Sequence, residues 1–81
     1  MIIEDVKDPL NDGHDIEFNF NKKRYSLTLR EAGGKRVAVF RELNKPAIEF
    51  ETIDEMLDAE YDGFKIADAI RSLSDEDMDI F

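Results

Sequence analysis

Strict alternation of apolar and polar residues begins at Asp15. Ile16, Phe18 and Phe20 share one side of an extended chain and Glu17 and Asn19 the other, which predicts a half-buried strand. Asn21-Lys22-Lys23 suits a hairpin connection, and a second alternation follows, with Tyr25, Leu27 and Leu29 opposite Arg24, Ser26, Thr28 and Arg30. Paired glycines, Gly33-Gly34, mark the next turn, because they reach positive φ without a Cβ clash. The run Val37–Phe40 is apolar on both sides and predicts a central strand. Ile48 and Phe50 alternate with Glu49 and Glu51 in a short fourth strand, and Pro46 at its start fits an edge position.

The period changes at Thr52. Thr52-Ile53-Asp54-Glu55 matches a capping box, and Ile53, Met56 and Leu57 then share a helical face. Tyr61-Asp62-Gly63 ends this short helix, and Ile66, Ala67, Ala69, Ile70 and Leu73 predict a longer one from about Phe64 to Leu73. Residues 1–14 show no clean period, and Asp8-Pro9 and Asn11-Asp12-Gly13 read as turns. The expected organisation is one domain over residues 1–81: an irregular segment at 1–14, a β-meander at 15–51, a helical part at 52–73 and an acidic segment at 74–81. Met78, Ile80 and Phe81 in that last segment are apolar enough to dock back on the core. The fold class is α+β: a three- to four-stranded antiparallel meander, then one short and one longer C-terminal helix packed on one sheet face.

Composition narrows the chemistry. The 81 residues contain no cysteine, which removes disulfides, thiolate metal sites and a cysteine nucleophile, and fits a reducing, cytoplasmic compartment. The start, Met1-Ile2-Ile3-Glu4-Asp5, has neither the basic residues nor the apolar stretch of a signal peptide, and Val37–Phe40 is far too short to cross a membrane. His14 is the only histidine and sits in a turn between acids, so a serine triad or a zinc site lacks its essential donor. Asp58, Glu60, Asp62 and Gly63 match positions one, three, five and six of a calcium loop, but position twelve is Ala69 where a bidentate Glu is required. Gly33-Gly34 is followed by no phosphate-loop Lys-Ser/Thr. The expectation is a protein without catalytic residues, metal or cofactor, not an enzyme.

Charge is the strongest remaining signal. The net −9 divides into −5 over residues 1–21, +6 over 22–45 and −10 over 46–81. The basic block can either neutralise acidic neighbours or form one pole of a bipolar surface. Two binding readings follow. In the first, an acidic surface of Asp54, Glu55, Asp58, Glu60, Asp62, Asp68, Asp75, Glu76, Asp77 and Asp79 engages a basic protein partner, such as a nucleic-acid-binding enzyme. In the alternative, Lys22, Lys23, Arg24, Arg30, Lys35 and Arg36 track the phosphates of a single-stranded nucleic acid, with Phe40 the one outward aromatic for base stacking. The β-β-β-β-α order behind that alternative resembles the transcriptional-coactivator type of single-strand-binding fold, which implies binding through a dimer. Neither reading involves a membrane, and either a monomer or a homodimer fits.

A wider resemblance bears on the first reading. The run Lys45-Pro46-Ala47-Ile48-Glu49-Phe50-Glu51-Thr52-Ile53-Asp54-Glu55-Met56-Leu57, followed by Asp62-Gly63-Phe64-Lys65-Ile66, resembles small acidic proteins of phages and mobile elements in low-GC Gram-positive bacteria. The likeness covers roughly residues 16–73 and lies in general patterning. Several such proteins are anti-CRISPRs. The resemblance implies a mobile-element-encoded inhibitor, or nucleic-acid mimic, that occupies the basic DNA-binding site of a host nuclease, and it carries over no individual residue.

Overall fold

Four strands follow the alternating runs: β1 (Ile16–Phe20), β2 (Lys23–Ala32), β3 (Lys35–Glu42) and β4 (Ile48–Phe50). The structure, a computed structural model, describes all 81 residues. Both tight turns of the meander join strands through two residues with positive φ, as the twist of a hairpin requires. Gly33 and Gly34 (φ +60° and +82°) take up this geometry freely, whereas Asn21 and Lys22 (φ +56° and +66°) do so with side chains. Phe20 lies opposite Lys23 and Ala32 opposite Lys35, so each register is set directly by its turn.

The helical part begins where the capping signal places it. In α2 (Ile53–Asp58) the Thr52 hydroxyl accepts from the Glu55 N–H at 3.0 Å, while the Glu55 carboxylate reaches back to the Glu51 N–H at 3.3 Å. Asp62-Gly63 forms another positive-φ turn and pairs β5 (Glu60–Tyr61) with β6 (Phe64–Lys65). This draws Phe64 and Lys65 out of the following helix. The expected longer helix is therefore α3 (Ile66–Arg71), six residues like α2. Phe64 instead stacks among aromatic rings, with its centroid 4.9 Å from that of Phe20 and 6.1 Å from that of Tyr61.

Both chain ends depart from expectation. Residues 4–11, read as irregular, form a helix, α1 (Glu4–Asn11). Pro9 lies inside it and forfeits a backbone hydrogen bond, an effect of about 3 kcal/mol. Val6 and Leu10, both fully buried, contribute about 1.5–3 kcal/mol each and outweigh it. Gly13 (φ +90°) reverses the chain after α1. With no basic residue in the last turn of α1, Arg36 from β3 supplies one, its guanidinium 3.5 Å from the Leu10 and Asn11 carbonyls. At the other end Ser74 caps a 3-10 turn (Asp75–Asp77), and β7 (Met78–Ile80) pairs with β1. Met78 faces Phe18 and Ile80 faces Ile16, so the docking expected of this segment takes the form of a fifth strand.

The antiparallel sheet has the order β4-β3-β2-β1-β7, which makes β2 its centre instead of β3. Its inward residues (Ile16, Phe18, Tyr25, Leu27, Ala38 and Phe40) form one core with Val6 and Leu10 of α1, Met56 and Leu57 of α2, and Ile66 and Ile70 of α3. All three helices thus cover one face of the sheet. Val39 lies on the uncovered face yet is 7% exposed. Arg30 of β2 and Glu49 of β4, joined by an ion pair, straddle β3 above the Val37 and Val39 positions.

Candidate functional site

Strand alternation settles which charges share a surface. The uncovered sheet face carries Arg24, Arg30, Lys35 and Arg41 together with Glu17, Glu49 and Asp79, a net of +1. The helical side is different. Residues 1–12 and 52–77 hold thirteen acids against Lys7, Lys65 and Arg71. The two poles left open by the sequence are a nearly neutral sheet face and a strongly acidic helical layer.

The six basic residues of the nucleic-acid alternative do not share one face. Arg24 lies on the open face and donates to Glu17 (3.0 Å), Asn19 (3.1 Å) and Asp79 (2.6 Å), a reach that straps β2, β1 and β7 together. The bond to Asp79 chiefly holds its guanidinium pKa above the ordinary value. Arg30 is paired with Glu49 on the same face, and Lys35 is exposed there. Lys23 and Arg36 lie on the helical side. Lys23 meets Asp62 at 3.0 Å, which raises its pKa, and Arg36 caps α1. Lys22 occupies the β1–β2 turn. Phe40, expected to point outward, is fully buried in the core, because Val39 and not Phe40 falls on the open face.

The ten acids of the first reading fall into three groups. Five meet cations: Asp54 meets Lys7 (2.8 Å), Asp58 Lys65 (3.2 Å), Asp62 Lys23 (3.0 Å), Asp68 Arg71 (3.1 Å) and Asp79 Arg24. Asp54 and Asp58 nonetheless keep about four-fifths of their side-chain surface in water, at 79% and 80% exposed. Exposed pairs of this kind hold a charge loosely. Glu55 and Asp77 serve as cap acceptors for Glu51 and Ser74. Glu60, Asp75 and Glu76 are exposed with no ion-pair partner. The calcium-like spacing of Asp58, Glu60 and Asp62 does not converge, since Asp58 turns to Lys65 and Asp62 to Lys23.

The structure adds acids that the sequence reading omitted. The Met1 amine donates to the Arg71 and Leu73 carbonyls at 3.1 and 3.2 Å, and the Phe81 N–H donates to the Asp15 backbone carbonyl at 2.8 Å. His14 Nδ1 lies 2.9 Å from the Phe81 oxygen. The segments 1–15 and 71–81 are therefore joined at both ends, and Glu4, Asp5, Asp8 and Asp12, exposed on or beside α1 without an ion pair, add to the acids of the helical side. The Ile3, Val6 and Leu10 spacing was the signal that could have revealed α1 and its outward acids.

A last cluster lies where β2, β3 and the β5–β6 hairpin meet. The Tyr61 hydroxyl donates to Glu42 at 2.7 Å, and Lys23 stands 3.9 Å from the same carboxylate. That hydrogen bond and burial raise the Tyr61 pKa. Beneath it the Tyr25 hydroxyl is buried without a hydrogen-bond partner, and burial, then Glu42, raise its pKa. No helix of the chain is long and apolar enough to cross a membrane. No protein-family model, curated protein or solved structure matches the chain.

Proposed function

We propose that the chain is a non-enzymatic binding module that uses its acidic helical layer to engage a basic surface on a protein partner. The supporting observation is the division of charge between the two sides. The segments 1–12 and 52–77 hold thirteen acids against three bases, Lys23 and Arg36 of the helical side are tied to Asp62 and to the end of α1, and two of the three arginines of the open sheet face, Arg24 and Arg30, are engaged by Glu17, Asp79 and Glu49. A surface of this sign steers quickly to a cationic cleft and competes there with phosphates. The partner chemistry that fits is a nucleic-acid-handling protein. The resemblance to small acidic phage proteins, anti-CRISPRs among them, points to an inhibitor that occupies a nuclease's DNA-binding site.

Capture from a bacterial lysate at low and at high salt tests this. The expected result is a basic nucleic-acid-handling protein retained at low salt and released at high salt. Changing Asp5, Asp8, Asp75 and Glu76 to their amides should weaken retention without unfolding the chain, because none of these carboxylates holds a cap or an ion pair. Asp77 and Asp79 are left intact because they hold the 3-10 turn and β7. Recovery of no basic partner at either salt refutes the proposal. Tight, steeply salt-dependent binding of labelled single-stranded DNA would favour the basic-sheet reading in its place.

A further inference from the structure

The two edges of the five-stranded sheet are not alike. β4 is led in by Pro46 and abutted by α2. β7 holds neither proline nor lysine, residues that commonly guard an edge. The Phe81 N–H donates to the Asp15 carbonyl, so by antiparallel alternation Asp79 also turns its backbone groups toward β1. The Ile80 N–H and C=O and the Met78 C=O point the other way, without a partner in the fold. The side chains of this edge are open as well. Ile80, on the helical side with Ile16, is 52% exposed, and Phe81 is 63% exposed. Asp75 and Glu76 at one end and Asp15 at the other are exposed without an ion pair. Arg24, shared between Glu17 and Asp79, is the only base that meets an acid here, so negative charge is in surplus along this edge.

Unpaired backbone groups, exposed apolar side chains and surplus acids together fit an incoming strand that alternates apolar and basic residues. We propose that the free edge of β7 receives such a strand of the partner protein, antiparallel like every neighbouring pair of the sheet, with an apolar residue opposite Ile80 and Lys or Arg beside Asp79 on the open face. This contact rests on the acidic-module reading and specifies how the partner is gripped. A docked helix does not fit, because its backbone groups are spent internally and would leave those of Ile80 unmet. A second copy of the chain does not fit either. Its β7 is as acidic as the edge it would join, and like charges side by side oppose pairing.

The test uses the full chain and fluorescence anisotropy with labelled peptides. The parent peptide alternates valine and lysine. Two variants carry backbone N-methyl groups, one on its valines and one on its lysines, and oligolysine is the fourth probe. In the antiparallel pair the valine opposite Ile80 turns its N–H toward β7, and the lysines turn theirs away. The lysine-methylated peptide should therefore bind like the parent, and the valine-methylated one roughly tenfold more weakly. Ile80→Pro removes the free N–H and leaves the bonds that Asp79 and Phe81 make to β1. It should weaken the parent peptide by a similar factor and leave oligolysine unaffected. Equal binding of the two methylated peptides overturns the strand contact, whatever Ile80→Pro does. The acidic reading then survives if oligolysine binds in a salt-sensitive way. Failure of all four peptides at low salt overturns both.

Discussion

Tyr25→Phe should make the protein more stable, although it removes a polar group from a well-packed core. The Tyr25 ring lies between Phe18 and Phe40, each with its centroid 5.4 Å away, and meets Tyr61 and Phe64 edge-on at 5.9 and 5.7 Å. The substitution keeps all four ring contacts. What it deletes is a hydroxyl in a residue only 1% exposed, with no hydrogen-bond partner. Burying such a group costs about 1–3 kcal/mol. The void left by one oxygen, about 10–15 Å3, returns only ~0.3 kcal/mol of that. The net gain is about 1 kcal/mol or more, which raises Tm by roughly 4–8 °C per kcal/mol in a chain of this size. Urea and thermal unfolding of the two proteins measure it, with an unchanged urea slope as the control. The alkaline limb supplies a second reading. Unfolded tyrosine ionises near pH 10, and the folded Tyr25 hydroxyl does so only above that. Its contribution is therefore complete below about pH 10 and lost as pH rises further. Tyr25→Phe should flatten that loss by one group. A fall in urea midpoint would refute the reasoning, because it would mean that the hydroxyl is satisfied in solution.

Two further substitutions probe the backbone and the strap across the sheet. Lys22→Gly should stabilise the β1–β2 turn by about 0.5–1 kcal/mol. A left-handed non-glycine residue costs about 1–2 kcal/mol and glycine's extra unfolded freedom offsets about 0.5–1 of it; an unchanged urea midpoint would contradict this. Arg24→Met keeps the aliphatic stem and deletes the bonds to Glu17, Asn19 and Asp79. At about 1 kcal/mol for a partly exposed network, amide exchange in β7 should quicken roughly fivefold while β3 is unaffected, and equal acceleration in both strands would show that Arg24 does not act as a local strap.

What the sequence made legible is what short-range geometry decides. Ile16 to Phe20 and Tyr25 to Leu29 alternate because a pleated strand turns every second side chain to the core. Gly33-Gly34 and Thr52 fix a turn and a cap through their own backbone and hydroxyl. The helix at 4–11 escaped because Asp8-Pro9 is a local breaker, and only the long-range burial of Val6 and Leu10 overrides it. α3 proved short for a related reason, since the Asp62-Gly63 turn recruits Phe64 and Lys65 into a hairpin. For the candidate site, the outward placement of Asp54, Asp58 and Asp68 could be read from helical faces that spend their apolar residues inside. Their cations could not. Lys7 meets Asp54 from 47 residues away, Lys23 meets Asp62 from 39 and Arg24 meets Asp79 from 55.

Those distant pairings change what the three charge blocks mean for function. Half of the middle block's basic residues are engaged once the chain folds. Lys23 and Arg24 are drawn to Asp62 and Asp79 of the C-terminal block, Arg24 also to Glu17 of the first, and Arg30 to Glu49. Arg36 spends its charge on the carbonyl end of α1. The basic block thus divides, with Lys23, Arg24, Arg30 and Arg36 acting as mortar between β-strands and between layers and Lys22, Lys35, Arg41 and Lys45 left exposed without an ion pair. The acids it neutralises lie mostly on the sheet face and at its ends, so the surplus negative charge is concentrated on the helical side. On that side Ile2 stands exposed beside the surplus charge. Charge alone attracts any polycation, and shape with apolar contact selects among them. On the acidic-module reading proposed above, the unpaired acids of α1 and the 3-10 turn therefore set how fast a partner arrives, and apolar surface beside them sets which partner stays.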